Sequence, residues 1–189
     1  MALLHEILEH NQRFVVERSQ PVSKTPQKKI VIFTCMDTRL VEFLEPAMGI
    51  KRGDAKMLKN AGNSIIDPQG GMIRSLVVAV HVLGCEEVYV IGHTDCGMSQ
   101  IDEKKLEQKM LDSGVPPQAI AGLQPSLRDW VGAFHQPMEN VQEVVRKIRE
   151  NDLIPAGIPV HGLIFDPEIG RLRLLTDGYE AAKRLVGGA

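Results

Sequence analysis

Two short stretches of this chain contain residue types from which a metal centre can be built. The first gives Cys35, Asp37 and Arg39, and the second gives His93, Asp95 and Cys96. Two thiolates and one imidazole are good ligands for zinc, and His-x-x-Cys spacing suits a tight turn with both side chains on one side. Three protein ligands leave a fourth position open for water, which is the arrangement of catalytic zinc; structural zinc is closed by four. Asp37 is the residue that can fill the fourth position instead. Each residue alone has a plainer reading. A buried thiol packs as a small hydrophobe, a histidine is commonly held by hydrogen bonds, and Asp37 and Arg39 can be a helix cap and a solvated charge. The argument for chemistry is the joint pattern.

Other chemistries fit these residues less well. A cysteine phosphatase loop needs a longer run of backbone N–H groups between Cys and Arg. Only three residues separate Cys35 from Arg39, and none is glycine. The His-x-Glu and Pro-Cys-x-x-Cys pattern of zinc deaminases is absent, as are the glycine-rich phosphate and dinucleotide loops. Cys85 precedes its strand, so it falls at the opposite edge of the sheet and reads as core. His5, His10, His81, His135 and His161 are scattered and read as structural or surface residues.

For the two stretches to meet, the elements before them must be neighbours. Residues 30–34 and 87–91 are apolar, β-branched runs that predict buried strands ending at Cys35 and at Gly92-His93. If these strands are adjacent and parallel, their carboxyl ends lie about 5 Å apart. That edge is where open α/β sheets bind ligands. A helix is expected to start in residues 40–45 and end near Gly49. A short strand is expected over 55–58, and an irregular Asn- and Gly-containing loop over 59–63. A helix over 72–83 stops at Gly84, and a charged helix covers 102–111. Residues 112–140 read as irregular, with short helices near Leu123 and Trp130. A helix over 139–149, a strand over 159–165, an antiparallel edge strand over 171–175 and a short closing helix complete the chain. Strands alternating with helices predict an α/β domain with a mostly parallel sheet. Residues 3–15 space Leu3, Leu4, Ile7, Leu8, Phe14 and Val15 as the apolar stripe of an amphipathic helix, to be covered by the chain's own sheet or by another subunit.

The 189 residues suffice for one ordinary domain, 1–189, and the composition is 43% hydrophobic and 24% charged. A net charge of -2 gives no general attraction to nucleic acid or an anionic membrane. No apolar run approaches the roughly 20 residues of a membrane span. Three cysteines and no leader-like N-terminus predict reduced thiols in the cytoplasm.

At Cys35-Met36-Asp37-Thr38-Arg39, Lys59-Asn60-Ala61-Gly62-Asn63 and Gly92-His93-Thr94-Asp95-Cys96-Gly97-Met98, the sequence resembles the β-class carbonic anhydrases. Residues 43–56 and 160–164 resemble the minimal prokaryotic branch of that family. The resemblance implies zinc, one per chain, on Cys35, His93 and Cys96, with an Asp37–Arg39 dyad beside it. It implies four parallel strands extended by an antiparallel fifth. It also implies a homodimer or higher homo-oligomer, with the helix of residues 1–20 laid on the partner subunit. The reaction implied is reversible hydration of CO2 to bicarbonate and a proton, with water rather than Cys35 as the nucleophile. Gly97 is expected to offer its backbone N–H to the substrate. Two thiolates donate more charge to zinc than imidazoles do, so activity is expected to rise above neutral pH. Hydrolysis of COS or CS2 at the same zinc, or a non-catalytic zinc protein on this scaffold, are the alternatives.

Overall fold

The computed structural model describes residues 3–16, 21–132, 134, 136–180 and 182. Five strands form one sheet: β1 (Ile30–Cys35), β2 (Ala55–Asn60), β3 (Glu87–His93), β4 (Val160–Asp166) and β5 (Arg171–Thr176). Their order is β2-β1-β3-β4-β5. The first four are parallel and β5 pairs antiparallel with β4. The described residues also form α1 (Leu3–Val16), α2 (Leu44–Ala47), α3 (Gly71–His81), α4 (Glu103–Asp112), α5 (Pro117–Ala121), α6 (Leu127–Gly132) and α7 (Pro137–Arg149). The closing helix expected after β5 lies largely outside the described residues, as does His135.

All six residues of β1 are buried, so this central strand is covered on both faces. Val31 and Phe33 join Val88 and Val90 of β3 in a cluster with Ile73 and Leu76 of α3 and the Val141, Val144, Val145 and Ile148 face of α7. Ile30 and Ile32 face the other way, with Ile91, Phe165, Leu40 and Leu44. The alternation is the period-two geometry of a strand. α7 approaches the sheet closely because β3 has a glycine beneath it. A Cβ on Gly92 would lie 2.6 Å from Val141 Cγ2, a distance that no side chain tolerates.

Several boundaries differ from expectation. The helix expected from residue 40 is a single 3-10 turn, Thr38–Leu40, followed by a break and the one-turn α2. Glu42 interrupts it with a φ of +54°, outside the helical region. β2 runs on to Asn60, because Met36 N donates to the Asn60 carbonyl and extends the pairing past Leu58. β3 runs to His93, because β4 pairs with it through Gly92↔Ile164 and His93↔Phe165. Cys35 and His93 are therefore the last residues of strands rather than members of loops. Cys85 is buried ahead of β3, as the sequence suggests. His161 is also buried, stacked on Tyr89 at 4.7 Å between ring centroids and accepting from Gly178 N.

The apolar stripe of α1 finds no cover among the described residues. Leu3, Leu4, Ile7, Leu8 and Phe14 are all more than half exposed. No helix among the described residues is long and apolar enough to cross a membrane.

Candidate metal centre

β1 and β3 lie side by side in the register Thr34↔Ile91, which brings Cys35 and His93 to the same edge. The turn after β3 then folds Cys96 back towards them. One ligating atom from each of these three buried residues lies within 4.8 Å of the others. The Cys35 and Cys96 sulfurs are 4.0 Å apart.

The donor set fits a metal on two further grounds. His93 Nδ1 is 2.8 Å from the Thr94 carbonyl, to which it donates, so Nε2 presents the lone pair. That Nε2 is buried and has no hydrogen-bond partner. An orphaned imidazole nitrogen facing two sulfurs is what a ligated ion would satisfy. The Thr94 carbonyl is itself fixed, because Thr94 N donates to the Phe165 carbonyl. The two sulfurs lie within hydrogen-bonding distance of one another. The Cys96 thiol bonded to it holds Cys35 far below the usual thiol range, and that same bond, with burial, pushes Cys96 up. Cys35 also takes a hydrogen bond from Gly62 N at 3.3 Å.

Asp37 does not join the three ligands. It starts the 3-10 turn and accepts from Arg39 N at 2.9 Å. The guanidinium grips both carboxylate oxygens, through Nε at 3.0 Å and Nη2 at 2.9 Å. Asp37 is thus a cap, as its plainer reading had it, whereas Arg39 is held in ion pairs rather than standing as a solvated charge. Asp37 Oδ2 still reaches within 3.7 Å of His93 Nε2, so the carboxylate stands beside the open side of the centre.

Arg39 also bonds the second turn, through Nη1 to Asp95 Oδ2 at 3.0 Å and Nη2 to the Asp95 carbonyl at 2.8 Å. The sequence reading assigned no role to Asp95. The available signal was a carboxylate between His93 and Cys96, opposite an arginine whose planar fork can bond more than one partner. Arg39 is exposed, and solvent-screened ion pairs add little to stability. The geometry of this clamp therefore matters more than its stability.

Arg39 beside Asp37 holds that carboxyl down at about 2. A carboxylate with a depressed folded-state value stabilises the fold above its unfolded value, and the contribution is lost as pH falls through the folded one. In metal-free protein, the urea stability lost in Arg39→Ala should be constant above pH 5. It should shrink as pH falls from about 4 towards about 2. A gap between the two proteins that does not narrow over this range would show that the pair is not what depresses Asp37.

A cleft of about 480 Å³ opens onto the centre. Its polar side is Cys35, Asp37, Arg39 and Cys96, and Met36, Ala61, Met98 and Ile101 are apolar walls. Gly97 lies on its rim, where a Cβ would meet nothing within 4 Å.

Comparison with known proteins agrees with this geometry. The family model described as carbonic anhydrase matches residues 30–172. The Bacillus subtilis protein YvdA, whose name assigns it provisionally to the carbonic anhydrases, is 45% identical over 188 residues, covering 95% of this chain and 94% of its own. The crystal structure of β-carbonic anhydrase isoform I from Trichomonas vaginalis superposes with a TM-score of 0.90 at 40% identity, covering 95% of this chain and all of that one. A carbonic anhydrase from Streptococcus mutans superposes with a TM-score of 0.77 at 31% identity, over 93% and 99% of the two chains.

Proposed function

This chain belongs to the β-class carbonic anhydrase family, and from that premise we propose how its residues hydrate CO2. The protein is a zinc enzyme that interconverts CO2 and bicarbonate. The observation that carries this reading is the convergence of Cys35, His93 and Cys96 around the orphaned Nε2. Cys35, His93 and Cys96 would hold the zinc, which would supply an acidified water as the source of hydroxide.

In this proposal Asp37 acts as a hydrogen-bond acceptor. Held ionised by Arg39, it has no proton to give and accepts a hydrogen bond from the O–H of the attacking oxygen. A lone pair on that oxygen is thereby turned towards the carbon of CO2. Arg39 keeps the carboxylate from swinging onto the metal, and its bonds to Asp95 fix the guanidinium in turn. Met36, Ala61, Met98 and Ile101 offer an apolar wall to an uncharged, linear molecule. The Gly97 N–H is assigned to a substrate oxygen, supported by its place on the rim. Both ligand thiols must stay reduced to hold a metal, which suits the cytoplasm.

The test is stopped-flow CO2 hydration on protein of measured zinc content, with COS and CS2 hydrolysis assayed in parallel. The expected result is one zinc per chain and hydration in proportion to zinc. Zinc-loaded protein inert towards CO2 but active on CS2 or COS would select the alternative substrate. Inertness towards all three would leave a non-catalytic zinc protein.

The chain is further proposed to work as a homodimer, with α1 laid on the partner. Support comes from the five exposed apolar residues of its stripe. Sedimentation should give a two-chain mass, and the double change Leu4→Ser and Ile7→Ser should shift it to one chain. A variant that sediments like the parent would remove α1 from the interface.

A further inference from the structure

The backbone N–H that bonds the Cys35 sulfur belongs to Gly62, and the means of holding Gly62 lies partly outside its own turn. Residue 62 has a φ of +68°, and a Cβ there would lie 2.8 Å from both Met98 Cγ and Phe134 Cδ2. Neither the backbone angle nor the space admits a side chain. Asn60 closes the turn at its base, accepting from Ser64 N at 3.0 Å and donating to the Ser64 carbonyl at 2.8 Å. Asn140 reaches in from α7, almost eighty residues further along. Its Nδ2 donates to the carbonyls of Gly62 at 2.9 Å and Asn63 at 3.4 Å. Its Oδ1 accepts from Ser64 Oγ at 3.2 Å.

Asn140 is 5% exposed. A buried amide is costly unless its donors and acceptor are matched, and here residues 62–64 match them. Its neighbour Val141 sits over Gly92, the residue before His93. One helix therefore leans on the strand that ends in one ligand and on the turn that bonds another.

We propose that Asn140 is a positioning residue for the metal centre. It fixes the Gly62 peptide so that the N–H stays aimed at the Cys35 sulfur, and this sets how much charge the thiolate donates to the metal. The proposal rests on the triad being the metal site. An N–H on a ligating sulfur draws on its lone-pair density and fixes its direction. Losing such a bond makes the sulfur a stronger but less well-placed donor.

Asn140→Asp keeps the side chain's size but replaces the donor facing Gly62 with an acceptor. Asn140→Ala removes both groups, and Ser64→Ala removes the Oγ contacts to Asn140 Oδ1 and to the Gly62 carbonyl while leaving the Asn140 Nδ2 bonds in place. Ile148→Val, on the buried face of α7 away from the turn, is the control for a general loss of packing. In Asn140→Asp, NMR hydrogen exchange of the Gly62 amide should be about tenfold faster than in the parent, with or without metal, the factor of one ordinary hydrogen bond. In the cobalt(II)-exchanged protein, the sulfur-to-metal charge-transfer absorption should move to longer wavelength. Zinc affinity by chelator competition should fall about 10- to 100-fold. Ser64→Ala should show a smaller change of the same sign, and Ile148→Val none.

Parent-like Gly62 exchange and cobalt absorption in Asn140→Asp would overturn the proposal. An equal change in Ile148→Val would also overturn it, since Asn140 would then act through packing alone. If Asn140→Ala fails to fold, Asn140→Asp and Ser64→Ala decide the matter. A parent protein that binds cobalt without sulfur charge transfer would overturn the metal reading instead. Gly62 exchange in metal-free protein would then still judge the hold of Asn140 on the turn.

Discussion

In Cys35→Ser, zinc should fall from one per chain to near zero, and CO2 hydration should fall at least about 1,000-fold. Cys35 is one of three ligands and not one of four, so its loss leaves only His93 and Cys96. A serine hydroxyl does not ionise at neutral pH and is a poor substitute for a thiolate on zinc. The fold should survive. The change is nearly isosteric, and the new oxygen can still accept the Gly62 N–H that now bonds the sulfur. Metal-free stability should therefore change by no more than about 1–2 kcal/mol. Adding zinc should restore metal-stripped parent protein and leave the variant inactive. A variant that keeps its zinc and more than a tenth of the parent rate would remove Cys35 from the ligand set.

Arg39→Ala should separate activity from metal content. The substitution removes both side-chain bonds to Asp37 and both bonds to Asp95, and leaves the backbone bond from residue 39 in place. Asp37 Oδ2 is already 3.7 Å from His93 Nε2. Once released, the carboxylate has a short path to the open side of the centre and becomes a fourth ligand there. Hydration should fall about 10- to 100-fold while zinc remains at one per chain and is held as tightly or more so. Arg39→Lys should recover little of the rate, because a single ammonium cannot bond two oxygens of Asp37 and span to Asp95 as the planar fork does. A crystal structure of Arg39→Ala with Asp37 still turned away from the metal would sink this account.

The two predictions differ in what sequence alone could support. The types at Cys35, His93 and Cys96, and the strands before them, are local properties. Apolar β-branched runs fix β1 and β3, and the polar break after each places its ligand at the carboxyl end. The antiparallel β5 was legible for the same reason, from a turn followed by alternating residues. The N-terminal helix announced an unpartnered stripe, and α1 does expose it. Less legible were the element ends. The extension of β2 to Asn60 and β3 to His93 depends on the pairing of neighbouring strands, and the break at Glu42 depends on a backbone angle that no residue type dictates.

By itself the sequence determined the chemistry on offer, namely two thiols, an imidazole, a carboxylate and a guanidinium at the ends of two buried strands. Only the tertiary structure decided how they are used. It set β1 beside β3, so that residues some sixty positions apart converge within reach of one ion. It turned the second oxygen-bearing turn towards Arg39 and made Asp95 part of the clamp. It also delivered the Gly62 N–H to the Cys35 sulfur and Asn140 to the turn behind it. The physical reason is that a backbone N–H has the same composition at every non-proline position. Its role depends on where the chain around it has been fixed, and that is set by contacts between distant segments, which local pattern does not encode.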